Sequence, residues 1–212
     1  MRLARSTSLI CAVLALAGSA CSSSAPKAKP KAKTKAVVWP APADAMGRAR
    51  AAGLVPETSE HLTYHVHAHL DVFVNGARVT VPAGLGINIH DPGVHVFHNI
   101  DGADGYGGIV PPCKQACISP LHTHDVSGVI HTESSTRKDN TLGQLFVEWN
   151  VKLTANCVDH YCRPQTKIAV YVGGRPFTGD PRRIDLSNFK EIAIVVGTPP
   201  ANIPATGDFS TL

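Results

Sequence analysis

Ten of the eleven histidines in this chain fall between residues 61 and 131, and their spacing is that of metal ligands. His65, His67 and His69 alternate with other residues. On an extended strand, alternate side chains share one side, with Cα atoms about 6.6 Å apart. Imidazoles at that spacing can lean together onto one ion at about 2.0–2.1 Å. A second pair, His122 and His124, sits in the run His122-Thr123-His124-Asp125, and His131 with Glu133 adds a third group. One strand alone rarely completes a tetrahedron, so a metal needs ligands from separate segments, and here two or three exist. The candidate metal site is therefore His65, His67, His69, His122, His124 and His131. The competing reading is a solvated histidine face, with His122 and Asp125 stabilising a turn. His61, His90, His95, His98 and His160 read as structural or exposed.

Imidazole suits zinc, copper, iron or nickel and not calcium, so copper or zinc is the expected cofactor. A blue-copper site needs a free cysteine and usually an axial methionine. Apart from Met1 the chain has only Met46, and its cysteines are expected to be oxidised. Asp125, rather than a glutamate a few residues on, follows the second His pair, which argues against a cupin. No HExxH helix, Gly-x-Ser-x-Gly elbow or phosphate-cradling glycine loop is present. Three functions stay open. The first is a metal-binding module for sequestration, delivery or sensing. The second is a metalloenzyme in which Glu133 or Asp125 is the general base and the glycine-rich segment 101–108 is a lid. The third is a non-catalytic cell-envelope interaction domain whose histidines respond to acid.

The elements that must position these residues are mostly strands. Residues 62–74 alternate, with Tyr64, Val66, Ala68, Leu70, Val72 and Val74 on one face and the histidines on the other. Asn75-Gly76 predicts a hairpin, with 78–81 returning as its partner. Further strands are predicted at 85–89, 94–97, 126–132, 151–154, 167–172 and 191–196, and Gly173-Gly174 turns 167–172 back into 175–177. The stretch 101–108, rich in Gly and Asp, reads as a loop. One helix is predicted at 142–149, with a Thr141/Gln144 capping box and Leu142, Leu145, Phe146 and Trp149 on one stripe. Residues 44–54 offer a second helical stretch. The expected fold class is mainly β, a β-rich α+β domain, either a sandwich or β-grasp-like, with one short helix.

Cysteines and termini bear on the compartment. Cys113, Cys117, Cys157 and Cys162 argue for two disulfides. The local pairings Cys113–Cys117 and Cys157–Cys162 are the simplest of three possibilities, and a four-thiolate zinc site is the rival. Arg2 and Arg5 precede an apolar run at 9–17 that is too short to span a bilayer. Ala17-Gly18-Ser19-Ala20-Cys21 then resembles a bacterial lipobox, although Gly18 stands where such motifs carry a larger aliphatic residue. The resemblance implies cleavage before Cys21 and a diacylglycerol on its thiol, alongside an acyl chain such as palmitate. An ordinary signal cut after Ala20 is the alternative. The chain thus divides into a signal peptide at 1–20, a lipid-acceptor cysteine and solvated Lys/Ala/Pro linker at 21–60, and a globular domain at 61–212. A flexible linker of that length reaches roughly 35 Å. The net charge of +4 comes from the N-terminal region. From residue 61 onward 11 Lys/Arg face 13 Asp/Glu, a balance of −2, which does not indicate a nucleic-acid partner. The expected partner is the membrane, through the lipid, with the domain outside the cytoplasm.

Segments 65–87, 120–134 and 141–149 resemble a family of uncharacterised secreted bacterial and archaeal proteins. The likeness rests on His65-x-His67-x-His69-Leu70 leading into Val74-Asn75-Gly76 and Val81-Pro82-Ala83-Gly84-x-Gly86-Ile87. It continues in Leu121-His122-Thr123-His124-Asp125-x-x-Gly128-x-Ile130-His131 and in Thr141-Leu142-Gly143-Gln144-Leu145-Phe146. The resemblance implies export and brings no activity with it.

Overall fold

A single long strand organises the fold. In the computed structural model, which describes residues 37–99, 102–187, 189–210 and 212, β1 (Tyr64–Val74) is the longest strand. All these residues belong to one unit of the chain, Thr34–Leu212. The signal-like segment, Cys21 and the lysine tract lie outside the described residues.

Strand β1 is followed by β2 (Ala77–Val79), β3 (His95–His98), β4 (Asp104–Gly107), β5 (Leu121–His122) and β6 (Val129–Ser134). Then come α2 (Leu142–Glu148), β7 (Cys157–Val158), β8 (Tyr161–Cys162), β9 (Ile168–Val172), β10 (Arg175–Phe177) and β11 (Lys190–Val196); α1 (Ala45–Ala51) precedes them all. Seven strands form one sheet in the order β10-β9-β11-β1-β6-β5, with β2 also paired to β1. β11 runs parallel to β1, while β6 pairs antiparallel with its first half and β2 with its second. The class is thus the mainly β, β-rich α+β one, with two α-helices among the described residues where one short helix was expected.

The alternation of β1 decides which face is which. Ala68, Leu70, Val72 and Val74 enter the main core with Ile130, Ile192, Ile194 and the α2 residues Leu142, Leu145 and Phe146. The α2 capping box forms as its sequence requires, with Thr141 and Gln144 each satisfying the other's backbone N–H. Trp149 donates from Nε1 to the Trp39 carbonyl at 2.9 Å, and the two indoles meet edge to face. Trp39, Ala49 and Leu54 are buried in this core, so residues 37–60, assigned by composition to the linker, include part of the folded unit.

Other differences have local causes. Segment 104–107, read as loop, is a strand paired with β3, because glycines at 105 and 107 leave room for Phe97 and His124. Residues 85–89 form a turn with a single bridge from Ile87 to Ile118, since Gly84 and Gly86 have positive φ. Residues 151–154 make only the Leu153–Val158 bridge. The disulfides are the local ones, Cys113–Cys117 and Cys157–Cys162. The first sits in a smaller core with Ile87, Val94, Ile109 and Ile118.

Candidate metal centre

The strand order β1-β6-β5 carries the histidines into one row. Residues opposite one another in paired strands share a face, and His67 lies opposite His131, which lies opposite His122. One step along, His65 faces Glu133. His124, two residues beyond His122, comes from the loop after β5. It is tied to β4, its Nδ1 donating to the Tyr106 carbonyl at 2.5 Å while the Tyr106 N–H donates to the His124 carbonyl at 3.0 Å. Five of the six expected ligands are therefore together, joined by Glu133. His122, His131 and Glu133 are buried, His67 and His124 half-buried, and His65 reaches the surface.

The donor atoms converge. His67 Nε2 is 2.8 Å from His65 Nε2, and His131 Nδ1 is 3.5 Å from it. Glu133 Oε1 lies 3.1 Å from His65 Nε2, 3.4 Å from His131 Nδ1 and 3.7 Å from His122 Nε2. Mutually close donors, one per residue within 4.8 Å, form two overlapping sets: His122, His124, His131 and Glu133, and His65, His67 and His131. Ligands of a tetrahedral ion stand roughly 3.4 Å apart at metal–nitrogen distances of about 2.0–2.1 Å, so modest side-chain rotation closes either set.

Hydrogen bonds fix which nitrogens face inward. His122 Nδ1 is 2.9 Å from the Ser119 carbonyl, and a carbonyl can only accept, so Nδ1 holds the proton. In the neutral ring Nε2 is then a bare lone pair; it is buried and has no hydrogen-bond partner. His124 is held the same way by Tyr106, leaving Nε2 as its donor. Orientation by a backbone carbonyl is how metal-ligating histidines are commonly held. Glu133 Oε2 is likewise buried without a partner. Each such orphan costs roughly 1–3 kcal/mol unless something fills the gap.

The electrostatics agree. Burial, then His124 and His131, hold His122 well below the usual histidine range. Burial, then His65 and His124, bring His67 down to about 4. Burial and the neighbouring imidazoles lower His131 further. Burial raises the Glu133 carboxyl, against the pull of His65 and with a push from Glu60. Neutral imidazoles beside a carboxylate that resists ionisation describe a cluster short of positive charge, which a bound cation would supply.

His69 stands apart. Its Nδ1 is 2.7 Å from Glu191 Oε2 and its Nε2 3.0 Å from the Ser127 carbonyl. The Ser127 carbonyl only accepts, so Nε2 carries a proton, and Nδ1 shares a second proton with the Glu191 carboxyl, an imidazolium when it rests on the ring. Burial opposes that charge, but the Glu191 hydrogen bond and the charges of Glu191 and Asp71 lift its pKa above the usual value. Burial raises Glu191 too, against the hydrogen bond and charge of His69. Arg78 pairs with Asp71. His69, Asp71 and Glu191 are close enough to hold a cation, but the proton that His69 shares with Glu191 and the charge of Arg78 already offset the two acidic groups.

Asp125 builds a turn: Oδ1 accepts from the Ser127 N–H at 2.8 Å and Oδ2 from Asn99 Nδ2 at 2.9 Å. Although burial works to raise its pKa, these hydrogen bonds hold it below the usual carboxylate value, which unsuits it as a base. Of segment 101–108, the expected lid, residues 104–107 are instead the strand that anchors His124. Sequence reasoning missed Glu191, for which only its place opposite His69 in a parallel pair gives a signal, and that pairing is not written locally. No protein-family model, curated protein or solved structure matches the chain, so what the site can do rests on these side chains.

Proposed function

We propose that this domain binds a transition metal, copper or zinc, through His65, His67, His122, His124, His131 and Glu133, and that it does so outside the cytoplasm. The observation that carries the reading is the pair of buried, unpartnered donors, His122 Nε2 and Glu133 Oε2, in one cluster of imidazoles. Native proteins rarely leave such atoms unsatisfied, and a cation satisfies both together. Imidazole-rich donors select copper or zinc over calcium or magnesium. Two disulfides fit an oxidising compartment, and the lipobox-like segment ending at Cys21 supports a lipid anchor. A binding module for sequestration, delivery or sensing is favoured over an enzyme. Glu133 touches three ring nitrogens and so acts as a ligand, and Asp125 is committed to its turn.

The test is elemental analysis of the purified chain after equilibration with Zn(II) or Cu(II) and desalting. The parent retains metal, and the variant carrying His122→Ala and His124→Ala retains less. A parent that retains none, or a double variant that holds as much as the parent, refutes the site.

A further inference from the structure

Six converging donors are more than one four-coordinate ion uses, and they do not form one mutually close set. They divide into two sets that have only His131 in common. The sheet explains the division. His65 and His67 stand on β1, His122 on β5 with His124 just after it, and β6 lies between those strands. Neighbouring strands are about 4.8 Å apart, so the two pairs rise from backbones separated by roughly 10 Å. The β6 side chains His131 and Glu133 occupy the space between them, and Glu133 Oε1 touches both sides, His65 at 3.1 Å and His122 at 3.7 Å.

We propose that the cluster holds two first-row transition-metal ions side by side, one on His122 and His124 and the other on His65 and His67, with Glu133 bridging them and His131 completing the set. The inference rests on the metal-binding reading above and goes beyond it in number and arrangement. A carboxylate has two oxygens to share, and here Oε1 is already among the ring nitrogens while Oε2 has no partner. Carboxylate-bridged pairs sit about 3.5–4 Å apart. The carboxylates of Glu60 and Asp125 lie near enough to act on Glu133 and His131, and they offset part of the charge of a second ion. The two places differ in access: the His122 side is buried, whereas the His65 side opens to solvent and is where an ion enters.

The experiment is titration of the full, chelator-stripped chain with Zn(II), followed by calorimetry and elemental analysis, with Cu(II) as a second probe for electron paramagnetic resonance. Two ions per chain are expected, and the two-copper form shows a magnetically coupled signal with intensity below that of two isolated Cu(II) ions. His65→Ala with His67→Ala, and separately His122→Ala with His124→Ala, each leave one ion, and the coupling disappears. A parent that saturates at one ion, or two coppers with uncoupled spectra, overturns the two-ion arrangement and leaves the metal-binding reading standing. A parent that binds none overturns both. The parent measurements need no variant, so a variant that fails to fold does not spare the proposal.

Discussion

At the scale of single residues, the histidines carry opposite electrostatic duties that a pH titration separates. His122 and His131 have folded pKa values below the unfolded value of about 6.5, so between these limits the unfolded chain binds more protons. Their contribution is intact above about pH 6.5 and is lost as pH falls. His69 is raised, so its contribution is present below about pH 6.5 and lost as pH climbs through its folded value. For the metal-free chain, a nuclear magnetic resonance titration of the imidazole signals is expected to leave His122 and His131 uncharged at pH 5, where a free imidazole is protonated. Protonation of either ring at or above pH 5 would contradict their buried, neutral state. The convergence of His65, His67, His122, His124 and His131 was legible from their spacing. His69 had the same spacing and was indistinguishable by it, because its partner Glu191 lies 122 residues away.

At the scale of elements, legibility followed periodicity. β1 and α2 are long enough to show their period, and both fall where the pattern puts them. β5 has two residues, too few for any alternation, and is a strand only because β6 pairs with it. β4 is hidden by its glycines, whose missing side chains are what admit Phe97 and His124. Gly86 shows how closely such turns hold the centre. It has φ +75°, and a Cβ there would stand 2.4 Å from the Leu121 carbonyl oxygen and 3.2 Å from the His122 Cβ. Gly86→Ala is expected to cost at least about 1–3 kcal/mol from backbone strain alone and, by displacing β5, to weaken zinc binding as well. Retention of parental affinity by a destabilised Gly86→Ala protein would show that β5 placement does not set the site.

At the scale of the whole molecule, folded domain and exported chain are separate claims with separate tests. The disulfides and the histidine centre belong to the unit Thr34–Leu212. Composition placed its start at residue 61, because Lys, Ala and Pro before Val37 look unable to fold; Trp39, Ala49 and Leu54 were too sparse to reveal that they join a core far along the chain. The anchor is tested in the full chain: labelled palmitate is expected to be incorporated into the parent and lost with Cys21→Ala, which moves the protein from the membrane fraction into the soluble one. Equal label in both would place any lipid elsewhere.

The shared strand β1 has a consequence for how this sequence can change over generations. Within it His65 and His67 face the imidazole cluster, whereas Ala68, Leu70, Val72 and Val74 enter the core. Inserting or deleting one residue within the strand would swap the two faces, burying imidazoles among leucines and turning core side chains toward the cluster. Length variation is therefore expected only at the ends of that strand, since the cluster and the core share one frame.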